Sequence, residues 1–411
     1  MTFPADDLHQ PPKAGSAFIT GLGIAQICSW GSLYYSFPLV AQAMGDDLGW
    51  SKTELYSAAS IGLAMAALAA YPIGAAIDRG YGRIIMGGGS VMAGLLLMLW
   101  SQAGSMALFY VAVAGIGAMQ AATMYDPAFA VVARRAGPTH ARTGITALTM
   151  WGGFASTVFI PLIQFMIEHV GWRDTLLILG LINILLCATL NFAVIDPKLD
   201  APVSRSAGQH PLAGRVAIAS VIRRPVFWIL AITFTAYAAA FSGFTFHLYP
   251  LLVERGLDPH TVVVAIAIIG PAQVAGRLLI WIVAPRAPVR VVGSIIVAVF
   301  PVAFLALELA PPHFVVIAFI AACFGAANGI MTIVRGLVVP EMLTRHAYGA
   351  VNGALAVPAM IARALAPAGL ALLWGAAGSY DAVLGAIIIM ALILATGFWT
   401  AAVMSTRRPV R

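Results

Sequence analysis

The sequence predicts an all-α membrane protein with twelve transmembrane helices in two sets of six. Three observations carry that prediction: scarce charge, a succession of long apolar runs, and a lopsided placement of the basic residues. Of 411 residues, 61% are hydrophobic and 9% are charged, with 23 basic and 16 acidic side chains. A soluble domain carries roughly 25% charged residues, so this chain cannot cover a water-facing surface. Isolated strands leave backbone groups unpaired in lipid, and the runs far exceed a barrel strand of about 10 residues, so helix is the state that fits.

Runs of the ~20 residues needed to cross a bilayer fall near 16–44, 52–77, 84–102, 107–132, 143–167 and 173–195. Six more fall near 225–252, 260–284, 289–309, 313–337, 348–374 and 381–404. The expected plan is a cytoplasmic tail over 1–15, a first bundle over 16–195, a cytoplasmic linker over 196–224, a second bundle over 225–404 and a cytoplasmic tail over 405–411. The first residues, MTFPADDLHQPPKAG, lack a basic-then-apolar signal pattern with a cleavage site. With both termini inside, the outer ends hold only Lys52, Arg173 and Arg255. Arg277, Arg335 and Arg363 lie within spans, which leaves seventeen of the 23 basic residues on the inner side. That bias follows the positive-inside rule and supports an even number of spans in the inner membrane. Scattered through short loops, the same residues make no patch for nucleic acid.

Local chemistry supports the boundaries. Ser51-Lys-Thr-Glu54 is a capping box opening the second span. Gly171-Trp172-Arg173-Asp174 puts an interfacial Trp at the outer edge of the sixth. The linker, with Asp196-Pro197-Lys198, separates the bundles, and its part from Leu212 to Arg224 is expected to lie as an amphipathic helix on the inner surface. The halves echo each other: Phe37-Pro38-Leu39-Val40 ends the first span and Tyr249-Pro250-Leu251-Leu252 the seventh. Parallel repeats of this kind occur in one large transporter architecture. Cys28, Cys187 and Cys323 stand far apart within apolar runs and read as small buried hydrophobes.

At the inner end of the second span stands Gly74-Ala-Ala-Ile-Asp78-Arg79-Gly80-Tyr81-Gly82-Arg83. It resembles the signature loop of the major facilitator superfamily, with one extra residue between Arg79 and Gly82. The resemblance implies the major facilitator fold, alternating access by two rocking bundles, and a gate latch formed by Asp78, Arg79 and Arg83 with Gly74 and Gly82. The second copy, Pro285-Arg286-Ala-Pro-Val-Arg290, has no acid. Drug/proton antiporters of this superfamily usually carry an Arg in the fourth helix and a Gly-Pro in the fifth. Here Leu108–Gly115 has no arginine, and Trp151-Gly152-Gly153 no Gly-Pro. Arg277 and Arg363 instead resemble the cationic pair of the oxalate/formate antiporter group, a branch of the monocarboxylate transporter family. Trp30-Gly31 is similar to part of that family's first signature, with Ile27 where an acid is expected. In its proton-coupled carriers an acid sits one turn before the eighth-helix arginine; here that position is Gln273.

An arginine inside a membrane costs about 2.5–3.5 kcal/mol on insertion scales, so each needs a reason. Arg363 lies 18 residues from both Arg345 and Asp381, about 27 Å along a helix from either, near the midplane. Arg277 sits somewhat inside of centre. No acid lies deep in the second half, since Glu308 is at an outer edge. Two cations without resident anions point to a substrate anion, and a guanidinium fork suits a carboxylate. The structural alternatives are a reach to inner-side carbonyls, or capping of helices broken near Pro271 or Pro358. Arg335 reads as an interface or gate contact.

Asp126 is either a proton carrier or the partner of Arg79 or Arg83, and its depth favours the ion pair. His247 is either a titrating group or a hydrogen-bonded structural histidine. Gln26, Trp30, Tyr34, Tyr35, Gln120, Trp151, Gln273 and Asn328 complete the expected cavity lining. Gln26, Trp30 and Tyr34, four apart, share a helix face. No catalytic residues, metal cluster or cofactor loop is found in the sequence. The expectation is therefore a monomeric secondary carrier, not an enzyme, for a small mono- or dicarboxylate. It would work by anion antiport or proton symport; the alternative is an exporter of amphipathic drugs or metabolites with structural arginines.

Overall fold

A computed structural model describes residues 15–199, 221–284, 287–343 and 348–406, and its regular structure is helical throughout. The first rod, α1, spans 16–48 as an α-helix Ser16–Trp30, a π-helical turn Gly31–Tyr35 and an α-helix Ser36–Leu48. A wide turn takes carbonyls off the ordinary helical ladder, and side chains meet them here. Ser32 Oγ donates to the Cys28 carbonyl and Ser36 Oγ to that of Ser32, both at 2.6 Å. Gln120 Nε2, from a neighbouring rod, donates to the Leu33 carbonyl at 2.7 Å.

Helix α2, Lys52–Ala76, opens on the expected capping box: Glu54 N–H donates to Ser51 Oγ, and Ser51 N–H to Glu54 Oε2. A π turn, Ile77–Tyr81, follows, and within it Gly80 has φ 99°. That left-handed conformation suits glycine and turns the chain into α3, Gly82–Ser101. Rod α4 (106–136) contains Met106–Thr123 and, past an extended Met124, enters the helix Tyr125–Gly152. A turn at Gly171, inside Ala155–Leu181, separates α5 (147–170) from α6 (172–194).

The second half comprises α7 (Pro225–Glu254), α8 (259–283), α9 (Val289–Leu309), α10 (Phe314–Val338), α11 (Tyr348–Ala377) and α12 (Tyr380–Thr406). Ten stretches are long and apolar enough to cross a membrane; one, Ala147–Leu199, is the bent pair α5 and α6. Each of the twelve apolar runs is mainly helical over its described residues. Within the halves, α2 and α3 pack on α4, α7 on α11 and α12, and α9 on α10 and α12. Between them, α2 meets α11, α5 meets α8 and α1 meets α7.

One local expectation changes. Trp172 does not face lipid: it is buried, and its Nε1 donates to Asp47 Oδ2 at 3.0 Å, because α1 ends in an acid directly opposite. Arg173 lies over the Trp172 ring and binds the same carboxylate at 2.7 Å. The tails before residue 15 and after 406, linker residues 200–220 with most of the expected surface helix, Arg286 and Arg345 lie outside the described residues.

Candidate functional site

The two intramembrane arginines lie where α1, α5, α7, α8, α10 and α11 converge, and their surroundings differ. Arg363 on α11 places its guanidinium carbon 5.5 Å from the ring centre of Tyr34, in the π turn of α1. Ser242 Oγ on α7 donates to the Arg363 carbonyl at 2.9 Å and so fixes the backbone of α11 there. Arg363 Nε and Trp30 Nε1 are buried without a hydrogen-bond partner among the described residues, and the Tyr34 hydroxyl lies beside Arg363 and Ser242. The Trp30 ring is 5.4 Å from that of Tyr34 and 5.1 Å from that of Tyr125. Two donors of one aromatic–cationic cluster, Arg363 Nε and Trp30 Nε1, therefore lack an acceptor among the described residues. Leaving a buried donor unmade costs roughly 1–3 kcal/mol each, and such groups call for a partner.

Arg277 on α8 is satisfied by protein. Its Nε donates to the Gly329 carbonyl of α10 at 3.2 Å, and its Nη1 crosses to the Thr149 carbonyl of α5 at 3.1 Å. Tyr125 Oη donates to the same Thr149 carbonyl at 3.4 Å. This is the carbonyl reach foreseen as the structural alternative. Among the described residues neither arginine forms an ion pair. The Tyr35 ring lies 5.4 Å from that of Tyr34 and 6.2 Å from that of Trp30.

The other expected lining residues are divided. Asn328, next to Gly329, accepts from Tyr237 Oη at 2.5 Å and is buried. Gln26 is buried with its Nε2 on the Thr123 carbonyl at 2.7 Å, so it ties α1 to α4. Gln120 serves the π turn. Trp151 lies flat across Gly23 of α1. Tyr35 and Gln273 line a pocket between the halves, bounded also by Ser156, Phe241, Phe244, Thr245 and Phe324. Tyr125, Thr149, Tyr237 and Ser242 were not singled out in the sequence: each acts through the backbone or neighbour it reaches, which no spacing reveals.

His247 takes the hydrogen-bonded arrangement. Fully buried, its Nε2 is 2.9 Å from the Pro367 carbonyl, its Nδ1 is 3.2 Å from Tyr380 Oη, and its ring stacks on Tyr56 of α2 at 4.4 Å. The ion pair expected for Asp126 is corrected: among the described residues no salt bridge joins it to Arg79 or Arg83. The break at Met124 makes Asp126 a first-turn residue of the following helix, uncovered by protein. There the positive end of the helix dipole already suits an acid. At the signature loop the Asp78 side chain lies outside the described residues. Arg79 and Arg83 are exposed, Gly82 packs against Val131, and Arg134 reaches over Gly80.

Hydrogen bonds between the halves run from Arg277 and Thr149 to the end carrying Lys52, the outer end by the charge bias. Thr157 Oγ1 donates to the Ala267 carbonyl (2.9 Å), Tyr249 Oη to Gln164 (3.3 Å) and Tyr56 Oη to the Phe246 carbonyl (2.9 Å). Ala368 N–H donates to Ser60 Oγ at 3.0 Å. Lys52 Nζ lies 3.6 Å from Glu254 and over the Trp374 ring at 3.8 Å.

Two helical halves closed at one end over buried cations define a multi-pass membrane carrier. Residues 22–367 match the Major Facilitator Superfamily, and the chain belongs to that family. Within it, the chain is related to the monocarboxylate transporters. Monocarboxylate transporter 13 of Bos taurus is 23% identical over 355 residues, 81% of this chain and 77% of its own length. Monocarboxylate transporter 11 of Homo sapiens is 25% identical over 293 residues, 67% of this chain and 59% of its own. Among solved structures, a bacterial homolog of the human lysosomal transporter Spinster, inward-facing and unoccupied, superposes with a TM-score of 0.74 at 15% identity, covering 96% of this chain and 98% of that one. The nucleoside transporter NupG gives 0.73 at 14%, covering 93% and 98%. The protein is thus a transporter whose relatives take small molecules.

Proposed function

We propose that this transporter moves a small organic anion, a carboxylate, across the cytoplasmic membrane by alternating access, as anion exchange or proton symport. The observation that supports it is the pair of unpartnered buried donors around Tyr34: Arg363 Nε and Trp30 Nε1. A carboxylate accepts several hydrogen bonds and neutralises the guanidinium at once, and in a dry site both gains are large. Arg277, held by carbonyls from α5 and α10, acts as a fixed positive charge beside the site and as a strut between the halves. The outer closure through α2 and α11 is one of the two states. Release of its contacts, with the signature loop closing the inner end, gives the other.

The test is counterflow of a labelled monocarboxylate in proteoliposomes with Arg363→Gln. The expected result is loss of at least 90% of the exchange, and unchanged exchange would overturn the site. One feature favours a second reading, an exporter of amphipathic molecules: both bonded nitrogens of Arg277 are already met by carbonyls, as a structural arginine's would be. Competition by carboxylates but not by lipophilic cations separates the two.

A further inference from the structure

We infer that His247 is a proton-binding site that controls the closed end, neutral while that end is shut and taking up an external proton once it opens. That role holds whichever substrate is carried. Hydrogen bonds fix the state of the ring. Nε2 lies 2.9 Å from the Pro367 carbonyl of α11, which can only accept, so Nε2 carries a hydrogen. Nδ1 lies 3.2 Å from Tyr380 Oη of α12, and among the described residues that hydroxyl has no other hydrogen-bond partner. The Tyr380 hydrogen therefore goes to Nδ1, and the ring is neutral. A second ring hydrogen, on Nδ1, would displace it and leave a buried hydroxyl hydrogen with nothing to meet.

The groups around the ring divide between the halves. From the first half, the Tyr56 ring of α2 stacks on it at 4.4 Å, and Lys52 Nζ lies 4.8 Å over the Tyr380 ring. Tyr34 of α1 packs on the neighbouring Phe246. From the second half come Pro367 and Tyr380, with Arg363 one turn before Pro367 on α11. Glu254, two turns after His247 on α7, accepts from the Tyr380 N–H at 2.8 Å and lies 3.6 Å from Lys52. Asp381, beside Tyr380, is mostly exposed and 3.4 Å from Arg255. In the closed form an imidazolium would thus join two resident cations, Lys52 and Arg363, in a site without water. Opening takes Tyr56 and Lys52 away with the first half, while Pro367, Tyr380 and Glu254 stay with the ring. Water then reaches the face that Tyr56 covered, and Glu254 loses Lys52. A proton on Nδ1 restores a positive charge on the same side of the gap as that carboxylate. An imidazole in water titrates at about 6.5, within reach of ordinary external pH. A proton bound better by the open form moves the population toward it as pH falls, by at most about tenfold per unit.

The experiment measures distances by pulsed electron resonance between spin labels at Gln102→Cys and His313→Cys, with the full chain in lipid nanodiscs. Both positions are exposed, one in each half at the outer end. The background is Cys323→Ser, in which the remaining cysteines are buried. Between pH of about 7.5 and about 5.5 the odds of the widened form should rise at least about fivefold, inside the roughly hundredfold that one proton allows. In whichever of His247→Gln and His247→Asn folds, the rise should stay under about twofold, because neither amide titrates. Lys52→Gln leaves the ring in place; it should be wider already at the higher pH and respond less to acid. A parent profile that is flat, or that narrows in acid, overturns the proton site, and so does an equal rise in the His247 variants. A pH response undiminished by Lys52→Gln overturns the exchange of Lys52 for a proton.

Discussion

Replacing Lys52 with glutamine should loosen the closed end of the molecule. Lys52 opens α2 in the first half, whereas its ion-pair and aromatic partners Glu254, Trp374 and Tyr380 belong to the second. Its Nζ lies 3.6 Å from Glu254 Oε2, 3.8 Å from the Trp374 ring centre and 4.8 Å from that of Tyr380. Glu254 is itself held: Oε2 accepts from Trp374 Nε1 and Oε1 from the Tyr380 N–H, each at 2.8 Å. The ion pair is partly exposed, 23% and 32% for the two side chains, so it is worth about 0.2–1 kcal/mol. The cation over aromatic faces adds roughly 0.5–2 kcal/mol. Opening that end breaks all of it, so a sum of roughly 1–2 kcal/mol raises the outward-open population about 5- to 30-fold, at 1.4 kcal/mol per factor of ten.

The assay is labelling of a Thr245→Cys reporter in the pocket by an impermeant maleimide added outside, in a Cys323→Ser background. The remaining cysteines, Cys28 and Cys187, are buried. Lys52→Gln should label about 5- to 30-fold faster, and Lys52→Arg, which keeps the cation, should fall near the parent. A Lys52→Gln rate within twofold of the parent, in protein that melts normally, would refute the latch.

Three further outcomes follow from the packing and the charges. A Cβ at Gly117 of α4 runs into the Gly62 backbone of α2, so Gly117→Ala should cost about 1–3 kcal/mol, read as a lowered Tm. His247→Phe should lower the Tm as well, by leaving the Pro367 carbonyl and Tyr380 hydroxyl unpartnered, roughly 1–3 kcal/mol; an unchanged Tm would count against that tie between α7, α11 and α12. At the outer end of α1, the bond from Arg173, and secondarily that from Trp172, hold the Asp47 carboxyl below its usual 3.8. A lowered folded value gives stability that is present above the usual value and lost as pH falls through the lowered one. The Tm advantage of the parent over Asp47→Asn should therefore shrink as the pH is taken down through that range, and a constant difference would sink the idea.

How much of this was legible depended on the range of the physics involved. The capping box at Ser51 and Glu54 forms as expected because all its atoms come from four consecutive residues. The helical runs likewise follow from composition, since lipid forces backbone groups to pair within the segment. Arg363 could be placed near the midplane by counting residues to its charged flanks. Asp126 shows where counting fails. Depth put it near Arg79 and Arg83, but a backbone break at Met124 made it a helix-terminal acid without those partners. The face shared by Gln26, Trp30 and Tyr34 serves two ends that spacing does not reveal: Gln26 Nε2 binds the Thr123 carbonyl of α4, whereas the Trp30 and Tyr34 rings pack together with Tyr34 beside Arg363.

By itself, then, the sequence determined the membrane class, the helical runs, the superfamily and the presence of two cations too deep to reach water. These are properties of single segments in a solvent that tolerates little charge, so each segment declares them alone. Tertiary structure decided what those cations meet. Arg277 is satisfied by carbonyls from two other helices, and Arg363 is left beside Tyr34 with its Nε unpartnered. Two arginines alike in sequence thereby differ in kind, because a buried charge takes its role from the groups that other helices bring within about 3 Å, and only the packed bundle fixes which those are.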